Sequence, residues 1–225
     1  MKKSVLTITL LLLLAPLYTY SKTGTLEVIC GSMFAGKSEE LIRRLRRAKI
    51  AQQKTICFSN ALDNRYDNSS EQQTRYIASH NGNKVIAEAI SNEEDILSFA
   101  FKQNLDVIGI DEVQFFSINI IPVICTLVDH GIRVIVPGLD LDFRGQPFPH
   151  MATLLALADK VTKLHAICAL CGNDAYVSQR LINKQPANYD DPIILVAAQE
   201  AYQARCRSCF EIDKKPLCIA IESYE

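Results

Sequence analysis

The sequence is short of net charge. Its 24 lysines and arginines meet 25 aspartates and glutamates, a formal charge of −1, so no general electrostatic attraction to nucleic acid or to a membrane surface follows. No internal repeat and no low-complexity tract is present, and neither a solenoid array nor a compositionally biased segment is expected. At 225 residues the chain has no room for the second motor domain of a helicase; the length fits one large domain, or one domain and a small module. A hydrophobic share of 48% against 22% charged suits a protein that buries a real core.

What is there begins with Gly31, Ser32, Met33, Phe34, Ala35, Gly36, Lys37 and Ser38, directly after the apolar run Thr25 to Cys30. The spacing Gly-x4-Gly-Lys-Ser lets successive backbone N–H groups turn inward around a polyphosphate. Lys37 adds a point charge on the outer phosphates, and the Ser38 hydroxyl can ligate Mg2+. The following segment places Leu41, Ile42, Leu45 and Ala48 on one helical face, with Glu39 and Glu40 in the first turn and arginines in the last. Such a helix points the positive end of its dipole at the bound anion. Arg43, Arg44, Arg46 and Arg47 read as its solvated surface.

Further on, Lys54 to Ser59, Leu105 to Ile110 and Arg133 to Pro137 are short apolar runs suited to buried parallel strands. Lys160 to Leu164 closes the series, and Val85-Ile86 makes a shorter strand. Asn60 to Asn83 is polar and aperiodic, which reads as a loop. A helix is expected from Ser91, with Ser91 as N-cap and Glu94 completing a capping box. Ile118 to His130 makes another, with Pro122 in its first turn and Gly131 as its stop, and Met151 to Ala158 a third. The alternation implies an α/β fold, a P-loop NTPase-like (RecA-like) parallel sheet with helices on both faces. Its ligand belongs at the carboxyl ends of the strands. Domain boundaries are expected at 23–165 for this unit and 166–225 for a small second module.

The strand Leu105 to Ile110 delivers Asp111 and Glu112 at its end. Asp111 stands where a magnesium-side carboxylate belongs, and Glu112 is free to accept a proton during phosphoryl transfer. A base at that point activates either water, as in an ATPase, or a substrate hydroxyl, as in a small-molecule kinase. Phe115, Phe116, Leu139, Phe143 and Phe148 offer aromatic and apolar surface beside the pair and favour the second. The other reading is a P-loop ATPase whose second module binds nucleic acid.

Eight cysteines fall into two groups. Cys168-x2-Cys171 and Cys206-x2-Cys209, 34 residues apart, have the ligand spacing of a structural Zn2+ site. Disulfide pairing is the competing reading. Cys30, Cys57, Cys125 and Cys218 lie in apolar runs and read as small core residues. Because zinc binding supplies folding energy in small modules, the metal would pin the loop from Gly172 to Arg205 at both ends.

Residues 1–22 point a different way. Lys2 and Lys3 precede Ser4 to Ser21, which lack any charge and include Leu10 to Leu14, the pattern of a secretory leader. The run is marginal for a membrane helix, which needs about 20 apolar residues, and Ser21-Lys22-Thr23 is a poor cleavage site. A nucleotide site and thiolate pairs belong in a reducing cytoplasm. We read 1–22 as an upstream-extended start or a degenerate leader, with folded sequence from near Lys22 and no stable membrane association.

Taken together these stretches resemble the thymidine kinases of the bacterial and animal-cytosolic type, from about Gly24 to Ile221. The likeness rests on Gly24 to Arg44, Asp63 with Arg65 and Tyr66, Ser79 to Gly82, Asp111 to Phe116, Gly138 to Gly145 with Pro147 and Phe148, the first cysteine pair, and Tyr202 with Cys206, Arg207 and Cys209. The resemblance implies transfer of the ATP γ-phosphate to the 5′-hydroxyl of thymidine, a homotetramer, structural zinc and feedback inhibition by dTTP. It carries the phosphate loop onto Gly31 to Ser38, the proton acceptor onto Glu112 and the magnesium side onto Asp111, with Gln114 in the ATP-binding set. It carries the thymine pocket onto Phe115, Leu139, Phe143 and Phe148, and the lid onto Ile193 to Ala197 with Tyr202. The chain departs from the family at Ala197-Ala198, where a Gly-Gly pair is usual; alanine resists positive φ. It departs again in the leader, since the family is cytosolic.

Overall fold

Strands covered on both faces must be apolar on both, which is why uninterrupted apolar runs become the centre of a parallel sheet. In the computed structural model, which describes residues 23–61, 75–78, 84–193 and 201–213, those runs are β1 (Thr25–Cys30), β2 (Thr55–Asn60), β5 (Val107–Ile110) and β6 (Arg133–Gly138). With β3 (Arg75–Ala78), β4 (Lys84–Ile90) and β7 (Lys160–Lys163) they form one sheet in the order β3-β4-β2-β5-β6-β1-β7. Six strands are parallel, and β3 joins the edge antiparallel to β4. The loops after β1, β2, β5 and β6 therefore open at one edge of the sheet.

Helix α1 (Lys37–Ile50) covers one face. Leu41, Ile42, Leu45 and Ala48 bury their side chains against Ile29, Cys57, Val107 and Ile135. Helices α2 (Glu94–Gln103), α3 (Ile120–Asp129) and α4 (Pro149–Leu157) cover the other, over Val28, Phe58, Ile108, Ile110, Val134 and Val136. The expected α/β fold with helices on both faces is the observed one.

Several local expectations change. The capping box at Ser91 does not form: α2 starts at Glu94, whose N–H is met by Asn92 Oδ1 at 3.2 Å. The N-cap position falls to Glu93, whose carboxylate accepts the Ser117 N–H at 2.7 Å. The polar stretch Asn60 to Asn83 is not wholly loop, because Arg75–Ala78 pairs with β4, which is itself longer than Val85-Ile86. Helix α4 begins at Pro149, whose ring suits the first turn. Arg44 is no solvated surface residue. Its guanidinium reaches Glu27 Oε2 at 2.7 Å, Glu40 at 2.8 Å and Thr162 at 2.8 Å. Burial would raise the pKa of Glu27, but Arg133 and Arg44 outweigh it and hold the carboxyl below its ordinary range.

Beyond β7 the chain makes only short strands: β8 (Ala166–Ile167), β9 (Asp174–Ala175), β10 (Val177–Ile182), β11 (Gln185–Pro186) and β12 (Ala201–Arg205). They pair as β8-β9 and as the antiparallel order β11-β10-β12. Asn183 and Lys184, at φ 52° and 66°, turn β10 into β11. The buried core here is Ala166, Cys168, Ala175, Ala204 and Cys206, too small to hold a fold by apolar burial alone. Residues 1–22, Asp63, Arg65 and Tyr66, Ser79 to Gly82, and Ala197-Ala198 lie outside the described residues. Among the described residues no helix is long and apolar enough to cross a membrane.

Candidate nucleotide and acceptor site

The glycine-rich loop turns between β1 and α1 by means of left-handed backbone. Gly36 sits at φ 83°, and at Gly31 a Cβ would lie 2.2 Å from the Leu164 carbonyl oxygen, so neither position takes a side chain without strain. Lys37 is buried, and its Nζ donates to the Ser32 carbonyl at 2.9 Å, which holds the ammonium across the loop. Ser38 follows in the first turn of α1. The loop rests on the second module: Met33 N–H donates to Ser178 Oγ on β10 at 2.9 Å, and Ala35 packs on the cysteine cluster. Nothing in local spacing signalled that support.

At the end of β5, Asp111 is buried and its N–H bonds the Phe58 carbonyl at 2.9 Å. Glu112 then adopts φ 48° and ψ 50°, before a single 3-10 turn over Val113–Phe115. A left-handed non-glycine residue costs about 1–2 kcal/mol, and such strain clusters at functional positions. Gln114 explains how the side chain is held. Its amide nitrogen donates to Glu112 Oε2, and its Oε1 accepts the Leu139 N–H at 3.1 Å. Gln114 is buried, and Gly138 leaves room for it: a Cβ at Gly138 would lie 2.8 Å from Gln114 Oε1. The residue placed by resemblance in the ATP-binding set thus has both ends of its amide on protein groups.

Leu139 leaves β6 half-buried, and Phe148, just before α4, packs on the main core. Phe115 is half-buried, and its carbonyl accepts from Asn60 Nδ2 at 2.9 Å. Phe143 is buried under a guanidinium, with Arg180 Cζ 3.9 Å from its ring centroid. That fully buried arginine, on β10, donates from Nε to the Tyr202 hydroxyl at 3.0 Å, from Nη1 to the Pro192 carbonyl at 2.6 Å and from Nη2 to the Ile193 carbonyl. Arg180 therefore brings together Phe143, Ile193 and Tyr202. Sequence reasoning missed it, since one arginine in a short strand carries no local signal. Asp142 braces the intervening loop by accepting the N–H groups of Arg144 and Gln146 at 2.8 and 2.9 Å. Buried Asp140 pairs with Lys163 Nζ at 2.9 Å, and this bond raises the lysine's pKa.

The four paired cysteines converge. The Sγ atoms of Cys168, Cys171, Cys206 and Cys209 all lie within 4.8 Å of one another, Cys171 and Cys206 at 3.5 Å. A tetrahedral Zn2+ with Zn–S bonds of about 2.3 Å spaces its sulfurs comparably, so the donor set fits that ion. At Cys168 the penalty of burial is outweighed by backbone N–H groups, which bring the thiol down to about 6. Cys209, hydrogen-bonded to the sulfurs of Cys171 and Cys206, is pushed up to about 12. Thiols this close resist sharing negative charge, and a divalent cation removes that conflict.

An anion cradle at the N-terminus of α1, a carboxylate pair at a nearby strand end and a parallel sheet beneath both define a P-loop nucleotide-binding protein. Within that class the sequence model of the thymidine kinase family matches residues 24–210. The chain belongs to the thymidine kinase family, and membership makes it a kinase that uses ATP.

Proposed function

We propose that the protein transfers the γ-phosphoryl group of ATP to the 5′-hydroxyl of thymidine, giving dTMP and ADP. The observation that carries this reading is the braced carboxylate. Glu112 follows β5, is held by Gln114, whose amide is anchored on the Leu139 N–H just after β6, and stands at the same carboxyl end of the sheet as the phosphate loop. In this reading the N–H groups of Gly31 to Ser38 and the Lys37 ammonium hold the triphosphate. Glu112 takes the proton of the 5′-hydroxyl as its oxygen bonds to phosphorus and the bond to the ADP oxygen breaks. Asp111 and Ser38 would hold Mg2+, which would neutralise charge on the phosphates.

Phe115, Leu139, Phe143 and Phe148 form the wall for the thymine ring. Tyr202 and Ile193, gathered by Arg180 as the clamp, stand for the lid, and the rest of the expected lid, up to Ala197, lies outside the described residues. The role of structural zinc at Cys168, Cys171, Cys206 and Cys209 is indirect: it keeps the module that props Met33 and carries Arg180. The reading extends to a cytoplasmic homotetramer, built from a 23–165 kinase domain and a 166–225 lid module, and inhibited by dTTP. Neither nucleic acid nor a stable membrane contact has a part in it.

A deoxynucleoside panel with purified protein tests the reading. Thymidine-dependent ADP release is expected, whereas ATP hydrolysis indifferent to every deoxynucleoside, or stimulated by DNA, would refute it.

A further inference from the structure

Phosphoryl transfer needs the donor phosphorus and the acceptor oxygen held in contact and in line, although each ligand rests on its own loop. The triphosphate belongs to the turn after β1, and the thymine wall of Leu139, Phe143 and Phe148 belongs to the loop after β6. A tie between those loops would set the gap that the phosphoryl group crosses.

Asp140 and Lys163 make such a tie. Strands β6 and β7 flank β1 in the sheet, so their ends lie roughly 10 Å apart with the start of the phosphate loop between them. Lys163 ends β7 opposite Cys30, the last residue of β1, and its Nζ reaches Asp140 Oδ2 at 2.9 Å. Burial raises the pKa of the Cys30 thiol, with Asp140 adding to the rise and Lys163 opposing it, which places both charges beside the end of β1. Each partner is fixed by backbone as well. Leu164 donates its N–H to the Cys30 carbonyl at 2.8 Å, and its own carbonyl oxygen lies 2.2 Å from where a Cβ on Gly31 would stand. On the other side, the Asp140 carbonyl accepts the Phe148 N–H at 3.1 Å, and Leu141 pairs with Pro147, which closes the loop that presents Phe143.

Asp140 is 5% exposed, and its Oδ1 has no hydrogen-bond partner. Among the described residues, Lys163 is the cation in ion-pair contact with it. A buried carboxylate stripped of its cation is costly, so this bond is one the fold keeps. We propose that Asp140 and Lys163 are positioning residues whose ion pair straps the acceptor loop to the root of the phosphate loop, a role that rests on the phosphoryl transfer proposed above. The strap fixes the distance between the thymidine 5′-oxygen and the γ-phosphorus without either residue touching a ligand.

The test is steady-state kinetics of the zinc-replete full chain, run well below each variant's melting temperature, with thymidine and ATP varied in turn. Asp140→Asn and Lys163→Met each remove one charge and keep the bulk. Each should lower kcat at least about tenfold, with both KM values within about threefold of wild type, because each ligand keeps its own loop. The double variant should lose no more than the slower single one, and Lys163→Arg should recover most of the rate. Lys160→Met, at the exposed start of the same strand, removes the same charge and should leave kcat as it is. Lys163 is half-exposed, so its variants carry the test if Asp140→Asn does not fold. An unchanged kcat in Lys163→Met overturns the inference, as does Lys163→Arg no faster than Lys163→Met, or losses that multiply in the double variant. A loss carried by KM for ATP overturns it too, since Lys163 would then be a phosphate ligand. A wild type that phosphorylates no deoxynucleoside refutes the proposed function instead. The strap is then read from amide hydrogen exchange, which Lys163→Met should speed in residues 31–38 and 139–148; equal protection in both proteins overturns it.

Discussion

Replacing Gln114 with leucine tests how the carboxylate at Glu112 is held. The substitution conserves bulk at a buried position but deletes both amide contacts, the one donated to Glu112 Oε2 and the one accepted from the Leu139 N–H. A hydrogen bond to a charged group contributes about 1.5–3 kcal/mol, and an orphaned buried donor costs about 1–3 kcal/mol. Leu139 is only half-buried, so the second figure should fall near its lower end. Glu112 also sits in left-handed backbone, and the Gln114 amide ties its side chain to Leu139 at the end of β6. General bases contribute about 10²–10⁴-fold to rate; a base that wanders should lose a good part of that. We expect kcat to fall roughly 10- to 100-fold, while KM for ATP holds because the loop residues are untouched. Melting temperature should drop by roughly 5–16 °C, from a loss of about 2.5–4 kcal/mol at about 2–4 °C per kcal/mol for a chain of this size. The assay is thymidine-dependent ADP release at saturating substrates, beside thermal unfolding of each variant. An unchanged kcat in a protein destabilised as expected would refute the brace, and so would a loss confined to KM for ATP.

Four further outcomes follow from the same geometry. Glu112→Gln should lower kcat by about 10²-fold or more with ATP affinity little changed, and full activity would remove it as the base. Arg180→Met deletes the bonds to Tyr202, Pro192 and Ile193; thymidine KM should rise at least about tenfold with ATP KM nearly constant, and steady-state kinetics on both substrates decides. Stripping zinc with a chelator should expose four thiols to a colorimetric reagent and lower the melting temperature; thiol reactivity unchanged by chelation would exclude a metal at Cys168, Cys171, Cys206 and Cys209. The Arg43 hydrogen bond, against some desolvation and with help from Arg44, draws Glu40 down to about 2 from an ordinary 4.5. A depressed carboxylate stabilises the fold above its unfolded pKa and loses that contribution as pH falls towards 2. The deficit of Glu40→Gln in denaturant melts should therefore shrink between roughly pH 6 and pH 3, and a deficit independent of pH would contradict the ion pair.

Much of this protein was open to reading because its signals are local. Leu41, Ile42, Leu45 and Ala48 recur at helical spacing, so the buried face of α1 follows from the chain itself. Apolar runs four to six residues long announced the central strands, and the Gly-x4-Gly-Lys-Ser spacing announced an anion loop before any coordinates. Two C-x2-C pairs likewise state their own chemistry. Where a residue's partner lies far along the chain, the same reasoning went astray. Ser91 looked like a cap, but α2 starts only at Glu94, and its N-cap Glu93 accepts the N–H of distant Ser117. Arg75–Ala78 looked like loop until β4 offered it an edge.

The sequence by itself determined the class of fold, the phosphate loop, the carboxylate pair and the two C-x2-C pairs, since each rests on signals carried by residues within a few positions of one another; that the two thiol pairs converge is a finding of the tertiary structure. Only the tertiary structure decided that Gln114 braces Glu112, that Arg180 gathers Phe143, Ile193 and Tyr202, and that Asp140 reaches Lys163 across the end of β1. Those arrangements arise where strand ends from separate parts of the chain are laid side by side. A side chain's role there depends on which neighbour the sheet order supplies, and no spacing along the chain encodes that.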